Sequence, residues 1–86
     1  MKLSKAIAYE KLGKTIYLSA DDGILLLENE VTTYIFELLK KEQTLTEIKE
    51  KVKEKFKQMN EYTKEVSDLF IENFLADLLN RAIIVK

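Results

Sequence analysis

Short candidate strands separated by turn residues occupy the first part of the chain, and apolar residues follow a helical period in the rest. Thr15–Ser19 alternates and is rich in residues that favour strands. Asp21–Gly23 supplies residues that tolerate the backbone of a tight hairpin turn. A three-stranded antiparallel meander is therefore expected within residues 4–28. Its predicted strands are Lys5–Tyr9, Thr15–Ser19 and Gly23–Glu28, with a turn around Lys11–Gly13 between the first two.

Three helices are expected after this meander, each with apolar residues at helical spacing. Asn29 is a good N-cap for the first helix, and Thr44–Glu47 matches the capping box that begins a second. The lysine pair Lys40–Lys41 is expected to end the first helix, where cations suit the helix dipole. The predicted helices span residues 30–40, 45–57 and 63–80, and Ala82–Val85 closes the chain as a helix end or a short extended tail. The sequence thus predicts an α+β fold in a single domain, residues 1–86.

The return strand of the meander breaks the alternation, because four large aliphatic residues follow Gly23. A chain of 86 residues is too short to cover both faces of a sheet with helices. This strand is also expected at an edge of the meander, where one row of backbone N–H and C=O groups has no partner. An exposed apolar edge is a site where a peptide can add as a further strand.

The third predicted helix carries more apolar surface than one core needs. One direction is interpreted as its core face, with Ser67, Ile71, Phe74, Leu75 and Leu78. Val66, Leu69 and Phe70 widen the apolar stripe on one side, and Leu79 widens it on the other. Either this helix packs against both the sheet and the other helices, or one flank is left for a partner.

Composition argues against an enzyme. The chain has no histidine and no cysteine, which removes the usual general base, the thiol nucleophile and the commonest metal ligands. We expect no cofactor and no metal. No segment approaches the roughly 20 apolar residues of a membrane span, and no signal peptide is present, so a cytoplasmic location without a membrane partner is expected.

Three motifs, taken in order, resemble the PqqD-like family, also called the RiPP recognition element. The first is the glycine, Asn-Glu and Leu-Leu spacing of Gly23–Leu39; the second is the helix start Thr44–Ile48; the third is the closing Phe-Leu pattern of Phe74–Ile84. The chain departs from the family pattern at several positions: Glu28 for leucine, Val31 and Thr32 for Thr-Ala, Lys64 for proline, Phe70 for aspartate and Ala82 for glycine.

The resemblance implies a winged helix-turn-helix-like fold that binds the leader segment of a ribosomally made peptide precursor. The bound peptide would be a further strand in the cleft between the third strand and the third helix. The domain would present it to a modifying enzyme: a leader protease, a cyclase (as in lasso-peptide synthesis) or a radical-SAM enzyme. The expected peptide-binding residues are Ile24, Leu25, Leu26, Leu27, Glu28, Val66, Phe70, Asn73, Phe74 and Asp77.

Two other functions stay open. One is a structural module that uses the same edge and helix flank to associate with itself, as a homodimer or by domain swapping. The other is a winged-helix nucleic-acid binder. The net charge of −1 and an acidic third helix disfavour nucleic acid. The lysine-rich stretch Lys40–Lys57 is more typical of a solvated helix face laced with ion pairs.

Overall fold

The computed structural model describes residues 1–5, 7–20, 23–57 and 68–86. It is an α+β fold in which a three-stranded antiparallel sheet precedes three helices, as the sequence predicts. Among the described residues, no helix has the length and apolar character needed to cross a membrane. The elements in chain order are β1 (Lys2–Leu3), β2 (Ala8–Leu12), β3 (Thr15–Ala20), β4 (Gly23–Leu27), α1 (Glu30–Leu38), α2 (Leu45–Phe56), α3 (Asp68–Asn80) and β5 (Ile84–Val85).

The sheet has the order β2-β3-β4, so β3 is central and β4 lies at an edge. The predicted first strand was misplaced: β2 begins at Ala8 rather than Lys5, and Lys11 and Leu12 belong to the strand rather than to the turn. The turn lies at Gly13 and Lys14, and Gly13 has the left-handed φ of 62° that a tight turn requires. All five residues of β2 are exposed, so burial imposes no alternating pattern from which its start could be read.

Helices α1 and α2 begin where their caps predict. The Asn29 side chain accepts hydrogen bonds from the backbone N–H groups of Val31 and Thr32, and Thr44 forms a complete capping box with Glu47. The backbone N–H of Thr44 holds the pKa of Glu47 below its usual range. Helix α1 ends at Leu38, so the predicted lysine pair lies just beyond the helix rather than in its last turn. Predicted residues 63–67 of the third helix lie outside the described residues.

Two parallel ion pairs join α2 to α3. The Lys49 ammonium lies 2.6 Å from the Glu72 carboxylate, and the Lys53 ammonium lies 2.8 Å from Asp68. The hydrogen bond from Lys53 lowers the pKa of Asp68. Beneath these pairs the three helices and the inner face of the sheet share one apolar core, to which α3 contributes Ile71, Leu75 and Leu78.

The two ends of the chain form a second, two-stranded sheet that sequence reasoning did not predict. Lys2 pairs with Val85 and Leu3 with Ile84, in antiparallel register. The Leu3 N–H also donates to the carbonyl of Leu39, 2.9 Å away, which ties this small sheet to the end of α1. The closing segment is therefore extended, one of the two predicted alternatives.

A residue with a left-handed backbone, Ala82, follows the end of helix α3. Ala82 has a φ of 59°, the Ile83 N–H donates to the Leu78 carbonyl at 2.9 Å, and the Ala82 N–H donates to the Leu79 carbonyl at 3.1 Å. These two bonds form a Schellman motif, in which glycine is the favoured residue at the left-handed position. Leu78 and Ile83, the residues joined by the longer of these two bonds along the chain, are both fully buried. Packing in the core therefore holds both ends of the motif in place.

Ala82→Gly is expected to stabilise the domain by about 0.5–1 kcal/mol. The substitution relieves the steric cost of a left-handed alanine, which exceeds the entropy that glycine loses on folding. The free energy of unfolding from urea denaturation measures the effect. Ala76→Gly, at an exposed position inside the same helix, is the matched control and should destabilise by about 0.5–1 kcal/mol. Destabilisation by both substitutions would contradict the strain assigned to Ala82.

Candidate functional site

Strand β4 has one buried and one exposed face. Leu27 is 3% exposed and Leu25 packs against the core, so these two side chains lie on the inner face. Ile24 is 72% exposed and Leu26 is 45% exposed, so they lie on the outer face. The four consecutive aliphatic residues of this strand therefore divide evenly between core and surface. Because its side chain is buried, Leu27 does not offer it to a peptide, and it contributes to the site only by holding β4 against the core.

The exposed apolar residues of β4 continue onto the neighbouring strands. Tyr17 stands directly opposite Leu26 in the register of β3 with β4, and Leu12 lies on the same face of β2. All four side chains are exposed. We call Leu12, Tyr17, Ile24 and Leu26 the outer patch. Sequence reasoning named Ile24 and Leu26 but missed Tyr17 and Leu12, although counting outward from the Asp-Asp turn would have placed Tyr17 opposite Leu26.

The register of the hairpin determines where the free backbone groups of β4 point. Ala20 pairs with Gly23, and only two residues separate them along the chain. A pair this close must exchange both of its backbone hydrogen bonds, and bonded pairs then alternate along the ladder. Leu25 and Leu27 therefore bond to β3, whereas Ile24 and Leu26 direct their N–H and C=O groups to the opposite side. Among the described residues β4 pairs with β3 alone, so within that part of the chain its opposite side is an open edge.

Helix α3 supplies the other predicted wall of the cleft. Phe70 and Phe74 are half-buried and pack against the core, and their rings stack with centroids 6.5 Å apart and planes 10° from parallel. Phe74 was predicted on the core face and also, with Phe70, on the wall of the groove, and the two rings lie side by side at the core margin. Val66, the third apolar candidate, lies outside the described residues.

The polar candidates are exposed. Glu28 and Asn73 lie at the surface. Asp77 is also at the surface, where its carboxylate accepts from the Arg81 guanidinium at 3.2 Å. A rim contact from Asp77 to a basic peptide residue would therefore compete with Arg81. Within the described part of the chain, no group of three or more His, Cys, Asp or Glu residues is placed to hold a metal ion.

The lysines of α2 are engaged within the domain. Besides the two that bind α3, Lys51 donates to the Gln43 side chain at 2.8 Å, Lys55 lies 5.7 Å from the centre of the Tyr34 ring, and Lys57 pairs with Glu54. The sequence predicted ion pairs within this lysine-rich stretch. Lys57 and Glu54 form one at a spacing of three residues, and the two pairs with α3 join different helices. These contacts join the lysines to other groups of the domain.

Comparisons with protein-family models, with curated proteins and with solved structures give no match to this chain. The geometry described above therefore carries the functional argument.

Proposed function

We propose that this domain belongs with the PqqD-like peptide-recognition elements and binds the leader segment of a ribosomally made peptide precursor. The leader adds to β4 as a fourth strand, antiparallel to residues 24–28. The observation that carries the proposal is the open edge of β4, where the same two residues, Ile24 and Leu26, present both free backbone groups and exposed aliphatic side chains. Edge strands are normally protected by charge, proline or a covering element, because they pair readily with other chains.

The cleft of the proposed site has one wall on β4 and the other on α3. Leader residues opposite Leu25 and Leu27 direct their side chains to the inner face of the sheet. At least one bulky apolar residue there packs in the cleft whose α3 wall is Phe70 and Phe74, which supplies specificity, while the edge supplies backbone hydrogen bonds with little sequence preference. Asn73 and Asp77 contact polar or basic leader residues at the rim.

The role of the domain in synthesis is delivery rather than catalysis. By holding the leader it raises the local concentration of the precursor at the partner protease, cyclase or radical-SAM enzyme. Because precursors of this kind are made on ribosomes and modified before export, the proposal places the domain in the cytoplasm.

Leu26→Pro is expected to weaken leader binding at least about tenfold while leaving the fold intact. Proline removes the one backbone donor of Leu26, which faces the open edge, and proline is tolerated in edge strands where its nitrogen faces solvent. The measurement is a calorimetric titration with a synthetic leader peptide, chosen by searching the reading frames that neighbour this gene for a short precursor. Thermal unfolding followed by circular dichroism checks the fold.

Two matched variants control this test. Leu26→Val keeps the N–H and an apolar side chain, so it should bind within about threefold of the wild type. Leu25→Pro removes a donor that faces β3, and should lower the stability of the domain instead. Unchanged affinity in Leu26→Pro would show that the leader does not use this edge. If the wild-type protein does not bind the leader but forms dimers in sedimentation experiments, that result would favour a self-associating module.

A further inference from the structure

Beside the open edge of β4, apolar residues lie on both faces of the sheet. This determines which kind of strand can bind along the edge. In an antiparallel pair, residues directly opposite one another place their side chains on the same face. Leader residues opposite Ile24 and Leu26 therefore lie on the outer face, beside the outer patch. Leader residues opposite Leu25 and Leu27 lie on the inner face. A bound strand with polar residues on either face would leave one apolar side of the edge uncovered.

Acidic residues predominate in the stretch of sequence that contains β4. Thr15–Leu39, which contains β3, β4 and α1, holds five acidic residues and no lysine or arginine. Two of the five, Glu28 and Glu30, directly follow β4 and are exposed. Helix α3, which forms the opposite wall of the cleft in the proposed site, has three acidic residues and no cation within Asp68–Asn80. The three acids of α3 each have an ion-pair partner within the domain, and Glu37 pairs with Lys40. Among the described residues, Glu28 and Glu30 form no ion pair.

We infer that the strand recognised by β4 is a cationic, fully apolar segment: a run of about five apolar residues without polar alternation, with Lys or Arg at its ends. This inference rests on the proposed function and specifies the chemistry of its ligand. The apolar run covers both sides of the edge, and the flanking cations lie beside the acids that adjoin β4 in the sequence.

Two lysines lie near one end of the sheet and set a limit on the attraction. Lys11 and Lys14 line the same surface depression as Glu28 and Glu30. Lys11 belongs to β2, which is two strand spacings, or about 10 Å, from β4 on the side away from the open edge. Lys14 directly precedes β3, which is one strand spacing, or about 5 Å, from β4 on the same side. Glu28 directly follows β4 itself, so a cation on the bound strand is closer to Glu28 than to either lysine, and its attraction to Glu28 is screened least at about 0.1 M salt, where the screening length is about 10 Å.

The same charges disfavour a second copy of this chain as the occupant. Two β4 strands paired about a two-fold axis would bring Glu28 of each copy towards the turn end of the other, where the sequence has Asp21 and Asp22. Like charges facing one another across strands destabilise the pair. The occupant favoured by charge is therefore a different, basic chain.

Three nine-residue synthetic peptides, capped at both ends and labelled with fluorescein, test the inference by fluorescence anisotropy. The first has Leu-Val-Leu-Val-Leu between two lysines on each side. The second replaces the four lysines by glutamates, and the third replaces the two valines by threonines. We expect the first to bind at least about tenfold more tightly than the second and about three- to tenfold more tightly than the third. Raising the salt concentration should reduce the first difference and leave the second unchanged.

Glu28→Lys identifies where the charge acts. It should weaken binding of the lysine peptide about three- to tenfold and strengthen binding of the glutamate peptide. Glu42→Lys changes the net charge equally but lies in the connection between α1 and α2, and should change neither affinity more than about twofold.

The outcomes separate this inference from the proposed function. If the glutamate or threonine peptide binds as tightly as the first and Leu26→Pro abolishes that binding, the ligand chemistry inferred here is overturned while strand addition stands. If Leu26→Pro affects no peptide, or no peptide binds, strand addition at β4 is overturned together with the inference.

Discussion

The Phe70→Lys variant is expected to bind the leader peptide at least about tenfold more weakly than the wild type. Phe70 is half-buried and stacks on Phe74 at the margin of the core, on the α3 wall of the proposed cleft. A lysine there places a charge on an apolar wall and removes the ring that a bulky leader residue would contact. If the leader is cationic, the new charge also repels it. Calorimetric titration of the leader against both proteins gives the ratio of affinities.

Neighbouring residues provide the controls for Phe70→Lys. Leu69→Lys introduces the same charge one position earlier in α3, about 100° round the helix, at a side chain that is 65% exposed. It should change affinity less than about threefold. Phe70→Leu keeps an apolar wall and should retain most of the binding. Because Phe70 touches the core, a stability loss of about 1–2 kcal/mol is expected for the lysine variant. Equal affinity for Phe70→Lys and the wild type would move the site away from this flank of α3.

Phe36→Ala is expected to destabilise the domain by about 3–5 kcal/mol. The Phe36 side chain is fully buried, and the edge of its ring meets Tyr9 with centroids 4.9 Å apart. It therefore joins α1 to β2 as well as filling the core. A domain of 86 residues has a total stability of about 4–13 kcal/mol, so the variant loses about a quarter of it or more.

Thermal unfolding measures the effect of Phe36→Ala directly. For a chain of this size, the expected loss corresponds to a melting temperature lower by about 15–30 °C. Phe36→Leu keeps most of the apolar volume and should cost about 1–2 kcal/mol. Tyr9→Leu removes the aromatic partner at a side chain that is itself exposed, and should cost less than Phe36→Ala. A change of only a few degrees for Phe36→Ala would contradict its place in the core.

The elements that sequence reasoning placed well are those with local chemical signals. Asn29 and Thr44 are helix caps whose side chains bind backbone groups two or three residues away, so the starts of α1 and α2 were predicted correctly. The hairpin of β3 and β4 was predicted because alternation and the Asp-Asp-Gly turn agree. The pair β1–β5 could not be predicted in this way, since two-residue strands have no period and their partners lie at opposite ends of the chain.

The candidate site was predictable to a similar extent. The edge position of β4 follows from a meander, and the division of its side chains between two faces follows from the register of one hairpin. The burial of Phe70 does not follow from the helical period, because it depends on how far α3 tilts over the core. The pairing of Asp77 with Arg81 could have been predicted from their four-residue spacing.

The pairing of β1 with β5 has a mechanical consequence. Lys2 lies opposite Val85, so the first and last residues of the chain leave the small sheet from the same end, where Met1 also forms two hydrogen bonds with the backbone of Gln43. Tension applied to the two ends opens such a pair like a zipper, loading one backbone hydrogen bond at a time rather than all of them together. Each bond contributes only about 0.5–1.5 kcal/mol, so a small pulling force suffices. The ends should therefore peel apart at forces that leave the β2-β3-β4 sheet and its open edge in place.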